Sequence, residues 1–466
     1  MKTFTIETEA LLLPPYILDC LKQITWVKND TTHITFHPDD LMLILYGARG
    51  STAFSGPDHI RYGSNTTAYQ IWSPKLPTNV LYLGDGGSGI LEISNIVLKK
   101  LFSKGINPFT ADPETTAPVL RMINNTYTHC HYDHLHMGTP LAGIFHANSI
   151  TKNIIGEKEI KKHFTKAFKR PVFPRDFGEI QACYHFQPIK EPRASVLIFT
   201  PDGEFRIMAS STFDSFLKTL NPQIKHNSTF FNLEDCLIVR CAISDHPDPC
   251  ISFRYENYDA RGELLNAIVF MTDHEIRDSD DHNAYFVKHV DNCNAIYLDG
   301  QYERKNYVPG FGHGRVELIG KIMAKLNINN ILIGHHDPQR TDIQIDDMIV
   351  LAAQHYKENI KDTGADPARI VGAADRMMLF IPGKERKRKG VVFGRMNCDR
   401  GYEIKDEIGS QSSVISEYKS FDLTQVYRLE DFTGEEKTRA LDDIDDSMVI
   451  HYQKETTCFA GSLLLL

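Results

Sequence analysis

Between His129 and His134, the segment Thr128-His129-Cys130-His131-Tyr132-Asp133-His134 packs three imidazoles and a carboxylate into six consecutive positions. Imidazole and carboxylate suit zinc, manganese or iron, and alternation within a bend can send neighbouring side chains to different ions. The preceding Arg121–Thr126 has strand character, so the cluster sits where a strand gives way to a loop. A chance His-rich loop is the bland alternative in a chain with twenty histidines, but the full Thr-His-x-His-x-Asp-His string makes it weak. One such loop cannot fill two metal sites. The fold must therefore deliver further donors from distant segments.

Three residues qualify because each follows an apolar strand. His246 comes after Leu237-Ile238-Val239-Arg240, Asp273 closes Ile268-Val269-Phe270-Met271-Thr272, and His335 closes Ile331-Leu332-Ile333-Gly334. Singly, a His or Asp at a strand end is more often a cap or a solvated loop residue. Three of them in a chain already holding the His cluster shift the balance towards ligands.

The rest of the chain alternates short apolar runs with turn residues. Strands are expected at Leu41–Tyr46, Ala68–Trp72, Val80–Leu83, Ala267–Met271, Ala295–Leu298 and Asn330–Ile333, and helices at Ile90–Leu101 and Val316–Leu326. This is mixed α/β with strands in two groups, each preceding a polar cluster, which suggests layered sheets with function on the loops. Residues 1–38 read as an N-terminal extension and 39–383 as a catalytic domain. Residues 190–232 read as an insertion in that domain, with a hairpin turning at Thr200-Pro201-Asp202-Gly203-Glu204. Lys384-Glu385-Arg386-Lys387-Arg388-Lys389 opens a C-terminal tail, 384–466, of no assignable role; a solvated linker is the favoured reading of that basic run.

At 42% hydrophobic and 24% charged, the 466-residue composition is ordinary for a globular protein, and no apolar stretch is long enough to span a membrane. Nine scattered cysteines without a paired spacing, and no secretory pattern at the N-terminus, lead us to expect reduced thiols and a cytoplasmic setting. A net charge of −9 argues against nonspecific binding of long nucleic acid. It leaves room for a small anionic substrate, since bound metal supplies local positive charge.

The order of motifs resembles the metallo-β-lactamase superfamily, specifically its phosphodiesterase-like branch, which also holds tRNA 3′-processing endonucleases. The matching elements are Gly47-Ala48-Arg49-Gly50-Ser51, Tyr62-Gly63-Ser64-Asn65-Thr66, the turn Asp85 to Gly89, and the His cluster. They continue with His246-Pro247 before Phe253-Arg254, Thr272 to Glu275, Gly312-His313, and His335-His336-Asp337-Pro338. The resemblance spans roughly Leu41 to Pro382. It implies a four-layer αββα sandwich holding two divalent ions, with zinc the leading choice. His129, His131 and His246 would hold the first ion, Asp133, His134 and His335 the second, and Asp273 would bridge them. His335 is preferred to His336 because it is the first polar residue after the strand. Gly314 stands where relatives carry Ser.

The same resemblance implies hydrolysis of a small phosphodiester, a cyclic nucleotide being the leading candidate, by a hydroxide shared between the ions. Asp133 would both ligate and accept a proton. His313 and His336 are candidates to contact the phosphate or protonate the leaving alkoxide, against an equal alternative as structural histidines bonded to backbone. Arg49 is better read as a buried tie between loops than as a phosphate ligand. Gly84-Asp85-Gly86-Gly87-Ser88-Gly89 lacks the Lys-Ser/Thr of a P-loop and reads as a turn that lets backbone pass close to the metal loop. Cys130 is expected to point away from the ions. Rival readings are an endoribonuclease resembling tRNA 3′-processing enzymes, an ester, lactone or thioester hydrolase, and a non-catalytic effector on this scaffold. A homodimer is compatible with the resemblance.

Overall fold

A computed structural model describes residues 3–21, 24–219, 221–360 and 368–383, and the backbone of two further strands, Val392–Met396 and Val449–Tyr452. The basic run 384–389 and most of the tail lie outside the described residues.

Side-chain alternation along the strands decides the layering. In Leu41–Gly47, residues Leu41, Leu43 and Leu45 enter one apolar cluster while Met42, Ile44 and Tyr46 enter another. In Leu264–Met271, Ile268 and Phe270 join that first cluster and Val269 and Met271 a third. The shared cluster is the interface between two sheets. Outside one sheet pack the helices Ile90–Ser103 and Ile160–Ala167, and outside the other Val316–Lys325 and Asp342–Asn359. The result is a four-layer αββα sandwich with three apolar seams, the arrangement the resemblance implies.

The first sheet has nine strands, with Leu41–Gly47, Ala68–Trp72, Val80–Gly84, Met122–Thr126 and Thr151–Gly156 as consecutive neighbours. The second has eight, running from Phe205–Ala209 through Ser195–Phe199, Leu237–Ile243, Ile251–Tyr258, Leu264–Met271, Ala295–Asp299 and Asn330–Gly334 to Arg369–Gly372. The hairpin expected around Pro201 forms, and its first strand is fully buried and paired with Leu237–Ile243, so that part of the 190–232 stretch belongs to the sheet itself. Near the N-terminus Phe4–Glu7, Thr25–Lys28 and Thr31–Phe36 form a small sheet whose Ile34 and Phe36 join the helix-side core. No helix among the described residues is long and apolar enough to cross a membrane.

Strand direction places the functional loops. Val80–Gly84 and Met122–Thr126 are parallel, as are Leu264–Met271, Ala295–Asp299 and Asn330–Gly334. Leu237–Ile243 is antiparallel to Ile251–Tyr258, which is antiparallel to Leu264–Met271, so the first and third run the same way. The segments beginning at Asp85, His246, Asp273 and His335 each follow the C-terminal end of one of these strands. A backbone bond from Ile251 N to Thr128 O (2.8 Å) stitches the two sheets together beside the His cluster.

Candidate metal centre

The seven residues predicted as ligands meet at this edge. One donor atom each from His129, His131, His246 and Asp273 lies within 4.8 Å of the others, and Asp133, His134 and His335 form a second such group. Asp273 faces both. Its Oδ2 is 3.6 Å from His129 Nε2 and 4.0 Å from His246 Nε2, while its Oδ1 is 3.2 Å from both His134 Nε2 and His335 Nε2. Oδ2 of Asp133 lies 3.3 Å from His134 Nε2. Among the described residues, the buried Nε2 atoms of His129 and His246 have no hydrogen-bond partner. A buried unpaired polar atom is costly, and convergent lone pairs without protons between them fit a cation.

Backbone strain at strand ends aims these groups. Asp85, Asp273 and His335 have φ of 53°, 48° and 53°, the left-handed region that L-residues seldom occupy and that clusters at functional sites. The left-handed turn sends the His335 ring into the centre, where it stacks on His134 with centroids 5.3 Å apart. Asp133 and His134 lie in the single wide helical turn Tyr132–His136.

A layer of partners fixes which ring nitrogen faces inward. Nδ1 of His134 bonds to Asp85 Oδ2 (2.8 Å), of His335 to Gln301 Oε1 (3.0 Å), of His246 to the Asp248 carbonyl (2.9 Å) and of His129 to Thr128 Oγ1 (3.1 Å). The half-exposed His131 instead places Nε2 2.8 Å from Asp248 Oδ2, leaving its Nδ1 for the centre. Ser51 N donates to Asp133 Oδ2 (2.7 Å). Burial alone would lower the His134 pKa, but Asp273, Asp133 and Asp85 together hold it well above the ordinary value. The surroundings favour positive charge.

Asp85 was read from sequence only as part of a turn, and Asp299 and Gln301 were not singled out. Asp299 ends an apolar strand as Asp273 does, and that same signal could have found it. The glycine turn behaves as expected. A Cβ on Gly87 would lie 2.2 Å from the Asp133 carbonyl oxygen, and Gly86 N bonds to His134 O at 2.6 Å.

His313 belongs to the site. Its Nδ1 is 2.7 Å from Asp299 Oδ2 and 4.0 Å from Asp273 Oδ2, and its ring stacks on His335. Burial works against its charge, yet the pair with Asp299 prevails and raises its pKa to about 9. His336 does not belong, and its candidacy as a phosphate contact or acid is corrected. Its backbone bridges to the segment at Arg49, its Nε2 donates to the Ala373 carbonyl (2.9 Å), and its ring meets Tyr62 edge-on. Burial pushes its pKa down to about 3. Arg49 is fully buried and donates to the carbonyls of Gly63, Asp337 and Arg340, the loop tie expected of it. Gly314 has no room for the Ser of relatives, since a Cβ there would sit 2.1 Å from the Asp299 carbonyl.

No family model and no curated protein matches the chain. Among solved structures it is similar to the metallo-beta-lactamase fold protein YhfI from Bacillus subtilis, at 13% identity over 73% of this chain and 99% of that one, with a TM-score of 0.40. It is similar to unliganded yeast PDE1 at 14% identity over 73% and 99% of the two chains, TM-score 0.43. A third likeness is to the short form of human tRNase Z, at 11% identity over 72% and 98%, TM-score 0.39. These likenesses are distant, and the αββα layering rests on this chain's own sheet order and seams.

Proposed function

We propose that this chain is a binuclear metal-dependent hydrolase of the metallo-β-lactamase fold, acting on a small phosphodiester such as a cyclic nucleotide. The observation that carries the reading is Asp273, whose two oxygens are divided between two His-rich groups. The residues fit two cations: His129, His131 and His246 would hold one, Asp133, His134 and His335 the other, with Asp273 shared. Divalent ions held there would supply the Lewis acidity that activates water and offsets the charge of a phosphoryl oxygen, the main obstacle to attack on a diester.

The chain's own residues account for the proton movements. Asp133, whose Oδ2 accepts from Ser51 N, would take up a proton beside the reacting group on this reading. The Asp299 bond to Nδ1 of His313 fixes that ring and leaves Nε2 as the edge from which a proton can pass to the leaving oxygen. The substrate class is supported by the ordered motifs from Gly47 to Pro338, and the acidic net charge favours a small diester over long RNA.

The test is a screen of the purified, metal-analysed protein against cyclic mononucleotides, model diesters, precursor tRNA, and ester, lactone and thioester substrates. Turnover of cyclic mononucleotides with about two ions per chain is expected on this reading. Selective cleavage of precursor tRNA, or of a carboxylic ester alone, would replace it.

A further inference from the structure

Cys130 sits between two proposed ligands and takes no part in either group. Its side chain turns towards the helix-side core, where it meets Glu157, just past the strand Thr151–Gly156, and His163 on the helix Ile160–Ala167. One donor atom from each of these three lies within 4.8 Å of the others. The Glu157 side chain is only 9% exposed, so its carboxylate faces the cluster rather than solvent. Nδ1 of His163 lies 2.9 Å from its Oε1, an ion pair that a cation seated among the three donors would replace.

The geometry points to a further cation site at Cys130, Glu157 and His163, separate from the binuclear centre. Thiolate, imidazole and carboxylate together suit a borderline ion of the zinc class, and three protein donors leave a fourth position for water. The His163 side chain is 37% exposed, which gives an ion an entry path from solvent. An ion held here ties the segment carrying His129 and His131 to the helix Ile160–Ala167, steadying the loop from behind.

The probe is Co2+ alone, titrated into the full, metal-stripped chain. The expected result is an ion bound with thiolate-to-cobalt charge-transfer absorption in the near ultraviolet, which the His and Asp donors of the binuclear centre cannot produce. Cys130→Ser should remove that band and one bound ion. Glu157→Gln and His163→Ala, which keep the thiol, should each lose the same ion while far-ultraviolet circular dichroism stays unchanged. Absence of the band in the unaltered chain leaves only a Glu157–His163 ion pair and overturns the site. So does a band that survives Cys130→Ser, which belongs to another cysteine, or one that survives both Glu157→Gln and His163→Ala. Cobalt bound without any thiolate band would uphold the binuclear centre and reject this site, so the two readings fail separately.

Discussion

Oδ2 of Asp133 lies 3.1 Å from Nε2 of His335, a residue 202 positions further along the chain. The first comes from a helical turn after a strand of one sheet, the second from the end of a strand of the other. Their contact closes the sandwich at its functional edge. Asp133→Ala removes a donor from the second group and the carboxylate proposed to receive the proton, while the sheets and their seams stay intact. Hydrolysis should fall by more than about 100-fold, beyond the loss typical of outer partners of a metal centre. Near-wild-type turnover in that variant would sink the mechanism, provided its circular dichroism shows the same fold.

Asp85 touches no ion in the proposed scheme, yet it accepts from His134 Nδ1 (2.8 Å), Thr128 N (2.7 Å) and Thr128 Oγ1 (3.0 Å) while fully buried. Asp85→Asn keeps the shape but can present an amide N–H where His134 needs an acceptor, weakening the ring's hold on its tautomer. Zinc affinity, measured by chelator competition, should drop roughly 10–100-fold. An unchanged affinity would mean that Asp85 serves only the turn.

The two groups of strands and the donors at their ends were legible because both rest on short-range rules, whereas the four-layer order came from the resemblance. The unbroken apolar run Leu41–Leu45 marks a strand buried on both faces, and a polar donor directly after such a strand, as at Asp273 and His335, falls at the sheet edge. Direction within a loop was read only through the rule that the first polar residue after the strand faces the edge, which favoured His335; the backbone gives the physical reason. His335 and His336 are consecutive and chemically identical, and only the left-handed backbone at His335 sends one ring to the centre and the other to Ala373. Gln301 and Asp85 escaped for a related reason: a partner that holds a ring's far nitrogen has no spacing rule, because the contact is set by how the two sheets close.

His313 and His336 therefore part in their expected effects. His313→Ala should lower kcat strongly and leave ion content and melting temperature near their original values, because its bond is to Asp299 and its ring lines the site. His336→Ala removes a buried ring packed on Tyr62 and a donor to Ala373, and should cost about 2–4 kcal/mol of stability. The ion content and kcat of its folded fraction should stay near wild type. A loss of kcat in His336→Ala without a fall in melting temperature would reverse the two roles.

Lys152 provides a test of the scaffold away from the site. It is fully buried in the strand Thr151–Gly156, donates to the Ala147 carbonyl, and lies over the Tyr184 ring at 5.7 Å. Burial lowers its pKa from 10.5 to about 7. The unfolded chain therefore holds a proton between those values that the folded chain has released, so this group makes stability rise with pH across that window. Its penalty is present in full below about pH 7 and fades as pH approaches 10.5. Lys152→Met removes the penalty at the cost of one donor to Ala147. Its melting temperature should exceed that of the unaltered chain below pH 7, and the gap should narrow as pH is raised towards 10. A gap that is constant with pH would mean that Lys152 stays charged in the folded chain, its proton stabilised by Ala147 and Tyr184 rather than lost to burial.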